Sequence, residues 1–212
     1  MAVFEQFVKA RKFGLQEYKT SIDDMREESV DTMIVSFFVQ GNTFLDEEFI
    51  HFAEEELLKN GLADSFDTDI LKLFLNPQVR ENKSLLDVLR KLRVYSIRLD
   101  GKATEQLAHL APSELSEYAD TVLNLYRYVS TEYISTKSYL ATLLLKDRNW
   151  TKKELLQTIV KFGEEKYEVN SDFIKGIMDS ERYKNNAYID ILKILQKQIL
   201  QKQTPAEIVE TS

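Results

Sequence analysis

The sequence predicts an all-α protein built on a duplicated multi-helix unit, two similar four-helix halves packed into one compact body. Three observations lead there. Apolar residues recur at spacings of three and four along most of the 212 residues, the pattern of helices with one buried face. Only 6 Gly and 3 Pro are present, and sparse turn punctuation favours long helices over many short strands. The segment DILKLFLNPQVRENKSLLDVLRKL, residues 69–92, also aligns without a gap on DFIKGIMDSERYKNNAYIDILKIL, residues 172–195.

The elements follow in order. An N-terminal segment, 1–28, holds a helix over about 2–27, loosened at Gly14. SVDTMIVSFFV is almost wholly apolar and should be a buried helix, closed at Gly41 or Asn42 in the left-handed conformation. DEEFIHFAEEELLK sets Phe49, Phe52 and Leu57 at helical spacing and ends at Asn60-Gly61. Asp46, Glu47 and Glu48 open it, where the helix dipole favours negative charge. DTDILKLFL starts on Asp67, a good N-cap. NKSLLDVLRKLRVYSI carries the stripe Leu85, Leu89, Leu92, and LDGK is the clearest break in the chain.

After that break lie a short helix near 103–110 and a long one opened by Pro112-Ser113. The long helix shows Leu115, Tyr118, Val122, Leu125 and Val129 at alternating spacings of three and four. TKSYLATLLL follows. NWTKKELLQTIVKF begins with Thr151 and Glu154 at capping-box spacing. NSDFIKGIM and NNAYIDILKILQKQIL complete the fold, and the polar tail 204–212, with Pro205, reads as flexible.

The two aligned segments share six identities over 24 positions, 103 residues apart. Cap positions match as well as core positions: Asp67 falls on Asn170, and Asn82 on Asn185. Upstream the likeness continues at an offset of 106, with Phe44 over Trp150, Glu48 over Glu154 and Phe49 over Leu155. The three-residue change then falls in one loop, where insertions are tolerated. The division expected is 29–98 as repeat 1, 99–134 as a connecting loop and long helix, and 135–203 as repeat 2. The similarity itself covers 29–92 and 135–195.

Composition and motifs exclude much chemistry. With no Cys, disulfides, thiolate metal sites and Cys nucleophiles are ruled out. No apolar run is long enough for a signal-peptide core or a membrane span, so a cytoplasmic protein without a membrane partner is expected. Glu48 to His51 forms one Glu-x-x-His, but di-iron bundles need two, and the position matching His51 is Gln157. His109 has only Leu and Ala beside it. Asp100 to Thr104 lacks the residues of a phosphate loop, since Ser96 and Ala103 stand where Gly and Ser or Thr belong. No nucleophile elbow or triad signature is present. No catalytic, metal or cofactor site is expected, and the protein reads as a non-enzyme.

Charge is segregated. Net charge is −7 overall. Residues 20–69 hold 14 acidic and 2 basic side chains, residues 72–102 hold 8 basic and 3 acidic, and residues 173–202 hold 6 basic and 3 acidic. The expected partner surface is Arg80, Lys83, Arg90, Lys91, Arg93, Arg98 and Lys102. Asp87, three from Arg90 and four from Lys83 and Lys91, offsets part of that charge locally. Repeat 2 keeps a weaker version in Lys184, Lys193 and Lys197. Tyr118, Tyr126, Tyr128, Tyr133 and Tyr139 crowd one region, mostly as packing residues. The function expected is a non-catalytic interaction or regulatory protein that binds another protein. A nucleic-acid-binding regulator using the basic helices of the two repeats is the alternative, and a homodimer fits either.

Overall fold

The computed structural model describes residues 2–10, 30–40, 46–63, 66–129 and 134–203. Residues 11–27 of the expected first helix, Gly14, the stop at Gly41 or Asn42, Phe44, Tyr133 and the tail 204–212 lie outside the described residues. Among the described residues every regular element is helical and no strand occurs, apart from one isolated parallel bridge between Val129 and Val169. The chain divides into two compact units, Met1–Ser116 and Glu117–Ser212.

The first unit holds α1 (Ala2–Ala10), α2 (Val30–Gln40) and α3 (Glu47–Phe52), which continues as a π-helical turn, Ala53–Lys59. It then holds α4 (Thr68–Leu73), α5 (Pro77–Arg80), α6 (Lys83–Val94) and α7 (Gly101–Ala108). The long helix α8 (Pro112–Tyr126) runs across the division. The starts of α3, α4, α6 and α7 are each written in the sequence by a side chain that satisfies an orphan helix N–H. Asp46 accepts from Phe49 N at 2.9 Å, Asp67 from Ile70 N at 2.8 Å, Asn82 from Leu85 N at 3.0 Å and Asp100 from Ala103 N at 2.7 Å.

Phenylalanine dominates this core. Phe7 stacks on Phe38 at 5.5 Å, Phe38 meets Phe49 at 5.0 Å, Phe52 stacks on Phe74 at 5.2 Å, and Phe74 meets Phe66 at 4.9 Å. Phe49 and Phe52, one turn apart, join the two ends at 6.0 Å. Each such pair adds about 0.5–1.5 kcal/mol beyond the area it buries. The chain of rings ties α1, α2, α3 and α4 together. The apolar helix α2 is buried as its composition predicts, with Ile34, Val35, Phe37, Phe38 and Val39 inside.

The second unit holds α9 (Ile134–Leu145), a 3₁₀ turn Lys146–Thr151, α10 (Lys153–Glu164), α11 (Ser171–Met178), a second 3₁₀ turn Asp179–Lys184, and α12 (Asn186–Gln203). The expected stripe Leu115, Tyr118, Val122, Leu125 and Val129 is buried throughout. The Tyr118 hydroxyl donates to the Ala141 carbonyl at 2.9 Å, and its ring meets Trp150 edge-on at 5.7 Å. Gly163 lets α10 lie against Tyr128, whose Cβ would stand 2.6 Å from any β-carbon there.

The expected capping box at Thr151 and Glu154 does not form. The Thr151 hydroxyl donates to the Arg148 carbonyl at 2.9 Å, and Lys152, at the N-cap, makes no side-chain cap bond. The cause lies just upstream, where Asp147 and Arg148 are both left-handed (φ 50° and 53°) and curl the chain back onto Thr151.

Three pairs of helix starts fall at the offsets of the sequence alignment, whereas α2 and α9, at Val30 and Ile134, begin 104 residues apart rather than 106. α3 and α10 begin 106 residues apart, at Glu47 and Lys153. α4 and α11 begin at Thr68 and Ser171, and α6 and α12 at Lys83 and Asn186, each pair 103 apart. The one-turn helix α5 aligns in sequence with the 3₁₀ turn Asp179–Lys184, and the described residues of 29–98 hold five α-helices where four were expected.

Candidate binding surface

The arginine cluster is assembled by the C-terminus of α6. Lys83–Val94 presents Leu85, Leu86, Val88, Leu89 and Leu92 to the core, which leaves Arg90 and Arg93 on the outer side. The helix then closes in a Schellman turn. Ile97 N donates to Leu92 O at 3.0 Å, Ser96 N to Arg93 O at 2.8 Å, and Ser96 takes the left-handed position at φ 58°. Ile97 and Leu92 are both buried, as that motif favours. The reversal brings Arg98 back beside Arg90 and Arg93. These three arginines line one cavity of about 400 Å³ with Asn60, Leu62, Val94 and Ser96.

The opposite wall is the end of the π-helical turn. Asn60 caps it, with its N–H donating to Glu55 O at 3.0 Å, and Gly61 turns the chain at φ 69°. A β-carbon on Gly61 would lie 2.7 Å from Nη1 of Arg93. The Arg93 head group therefore lies across bare backbone. Glu56 organises the same wall, accepting from the Arg90 guanidinium and from Asn60 Nδ2 at 3.2 Å. Asp87 holds Arg90 from the other side at 2.8 Å. Val94, 78% exposed, is part of the lining, and Tyr95, next to it in the chain, is 41% exposed.

The other expected surface residues fall elsewhere. Arg80 does not belong to a surface: it is 6% exposed, donates to Phe74 O at 3.3 Å and to Glu48 at 3.1 Å, and lies 5.6 Å from the Phe49 ring centre. Its side chain fastens α5 to the acidic start of α3. Lys91 is exposed and lines a second groove with Ser84, Asp87, Val88, Arg90, Pro112 and Ser116. Lys83 and Lys102 are exposed and line neither. In the second unit Lys184 pairs with Glu181 at 2.6 Å, and Lys193 pairs with Glu165. Their bonds hold both carboxyls below the usual carboxylate range. The Lys197 ammonium lies 5.8 Å from the Tyr167 ring centre.

His51 meets Glu54 and Glu55, with one potential ligand atom of each within 4.8 Å of the others. The cluster already contains a cation. Lys59 Nζ lies 2.7 Å from Glu55 and 3.2 Å from Glu54, and its hydrogen bond lowers the Glu55 pKa. The trio is thus an ion-paired helix face, with Glu54 and Glu55 half-buried and His51 exposed.

No protein-family model matches this chain, and neither a curated protein nor a solved structure is similar to it.

Proposed function

We propose that this chain is a non-catalytic helical protein that binds an acidic segment of another protein at the Arg90, Arg93 and Arg98 cavity. The observation that carries the reading is that Arg90, Arg93 and Arg98 line one opening, whose lining among the described residues includes no carboxylate. Arginine and tyrosine are among the residues interfaces draw on most, and the exposed Tyr95 lies between the lining residues Val94 and Ser96 in the chain. The protein would act in the cytoplasm, a reading supported by the lack of Cys and of any helix long and apolar enough to cross a membrane among the described residues.

Internal duplication belongs to the same proposal. Its support is a shared register of burial. Ile34, Val35, Phe38 and Val39 of α2 fall on Leu140, Ala141, Leu144 and Leu145 of α9, all buried. Ile70, Leu71 and Phe74 fall on Phe173, Ile174 and Ile177, again all buried. Caps agree too, with Asn170 accepting from Phe173 N at 2.9 Å and Asn185 from Tyr188 N at 3.1 Å. The copies then differ where function would sit. Positions matching Arg90, Arg93 and Arg98 are Lys193, Gln196 and Gln201, so the arginine cavity is specific to repeat 1.

A nucleic-acid backbone is the second reading, favoured by the exposed Lys83, Lys91 and Lys102 on the same unit. Fluorescence anisotropy decides between them. Labelled poly-glutamate and mixed DNA and RNA are titrated at low and moderate salt, beside an Arg90→Glu/Arg93→Glu variant. Acidic polypeptide bound by the native chain and not by the variant is the expected result. Salt-sensitive nucleic-acid binding lost in the variant would replace the protein-partner reading. Equal binding by both proteins would remove the cavity from either.

A further inference from the structure

We infer that the outer face of α12 is a self-association surface, on which a second copy of this chain packs its own α12 antiparallel about a twofold axis. Among the described residues five large apolar side chains are exposed, and three of them stand on this one helix: Ile191 at 52%, Ile194 at 54% and Leu195 at 49%. At about 3.6 residues per turn they fall on one side, with the exposed Ala187 one turn before Ile191. The other side faces its own unit. Leu192, Lys193 and Gln196 are half-buried there. The Gln196 side chain accepts from Glu168 N and donates to Glu168 O, both at 2.8 Å, and Lys193 pairs with Glu165. The helix is anchored by these bonds, and its apolar stripe is turned away from them. The aligned stripe of α6 is closed instead: Val88 and Leu92, 103 residues before Ile191 and Leu195, are 3% and 1% exposed. An apolar stripe left open in this way marks a surface for a partner.

The charges beside the stripe say which partner. Ala187, Ile191 and Ile194 recur at spacings of four and three, the seam of a helix pair. Where two such helices run antiparallel with Ile191 layered against the partner's Ile194, position 190 comes beside the partner's 197. Those residues are Asp190 and Lys197, opposite in charge and both exposed. The twofold axis forms the pair twice. The Lys197 ammonium lies 5.8 Å from the Tyr167 ring centre, near the limit of a cation–π contact, so it is able to turn toward a carboxylate. A parallel pair would set Asp190 beside Leu195 and lose the match. Lys193 and Lys184 are drawn back to Glu165 and Glu181 of their own unit and do not oppose the approach. A patch complementary to itself is what a twofold dimer requires. One helix pair falls short of the roughly 800 Å² per partner of a stable interface, so the dimer forms at high protein concentration.

Sedimentation velocity of the full chain over a wide dilution series is the test. The sedimentation coefficient should rise with concentration. Ile194→Glu should weaken dimerisation at least about tenfold, with the thermal melt of the dilute protein unchanged, because this side chain is exposed in the monomer. Asp190→Lys sets like charges together and should weaken it too. Asp190→Lys/Lys197→Asp, which exchanges the pair across the axis, should restore it. A chain that stays monomeric at every concentration overturns the inference and leaves the stripe to a different protein. A dimer untouched by Ile194→Glu overturns the surface. Weakening by Asp190→Lys without rescue by the double exchange overturns the antiparallel register. A monomer that dimerises only after residues 204–212 are removed gives the stripe to the chain's own C-terminal segment and overturns the second copy as its occupant. None of these outcomes bears on the arginine cavity, which ligand binding tests separately.

Discussion

Gly61→Ala separates the backbone of the arginine cavity from its charge. Gly61 sits at φ 69°, where a residue with a β-carbon costs about 1–2 kcal/mol. Stiffening the unfolded chain returns about 0.4–1 kcal/mol, leaving a loss near 1 kcal/mol. The new methyl also meets Arg93 Nη1 at 2.7 Å. That atom ends a flexible side chain, so it moves away at little cost in stability, but it leaves the cavity. Urea unfolding followed by circular dichroism should show the midpoint fall by about 1 kcal/mol divided by an unchanged m-value. Ligand affinity at the cavity should fall with it. Gly61→Asn is the control, because Asn tolerates the left-handed region better: smaller stability loss, similar displacement of Arg93. Stability equal to the native chain in the Ala variant would refute the left-handed turn. Lost stability with full ligand affinity would refute the role of Gly61 in seating Arg93.

Three further outcomes are expected. Ser96→Gly relieves a left-handed non-glycine residue at the end of α6 (φ 58°) and should raise unfolding stability by about 0.5–1 kcal/mol in the same urea assay. Tyr118→Phe deletes a buried hydroxyl bonded to the Ala141 carbonyl and should cost about 1–3 kcal/mol, since the carbonyl is left without that donor; burial raises the Tyr118 pKa, so the phenol stays neutral across the working pH range. Glu165 has its pKa lowered from 4.5 by the Lys193 hydrogen bond, so its contribution is present above pH 4.5 and is lost as pH falls through the lower folded value; Glu165→Gln should flatten that part of the acid-unfolding curve.

What the sequence made legible was short-range. Asp67, Asn82 and Asp100 cap the helices they precede because an N-cap bond spans three residues of one chain segment. The stripe through Tyr118 is buried because its spacing alone defines a helix face. Thr151 misled because its hydroxyl had a competing carbonyl in a left-handed turn that nothing in the residues Asp147 and Arg148 announces. The charge surface was half legible. Arg80 and Arg90 are neighbours in a basic run, yet Arg80 finds Glu48, 32 residues upstream, and Arg90 finds Glu56, 34 upstream. Composition cannot tell which cation will be drawn inward by a carboxylate that far away. The meeting of Arg98 with Arg93 depends on the Schellman reversal at Ser96, and Ser is not the usual residue there. The Gly after Asn60 was the one available signal that the facing wall would be open backbone.

The placement of the only tryptophan makes the two units separately visible. Trp150 is the sole Trp of the chain and is 2% exposed within Glu117–Ser212, whereas the first unit buries its aromatic mass as phenylalanine. Emission excited on the red edge of indole absorption therefore reports the second unit alone, while far-ultraviolet dichroism weighs the helices of both. Coincident curves from the two signals would describe a single cooperative transition. Separated curves would show that Met1–Ser116, which contains the arginine cavity, unfolds on its own schedule.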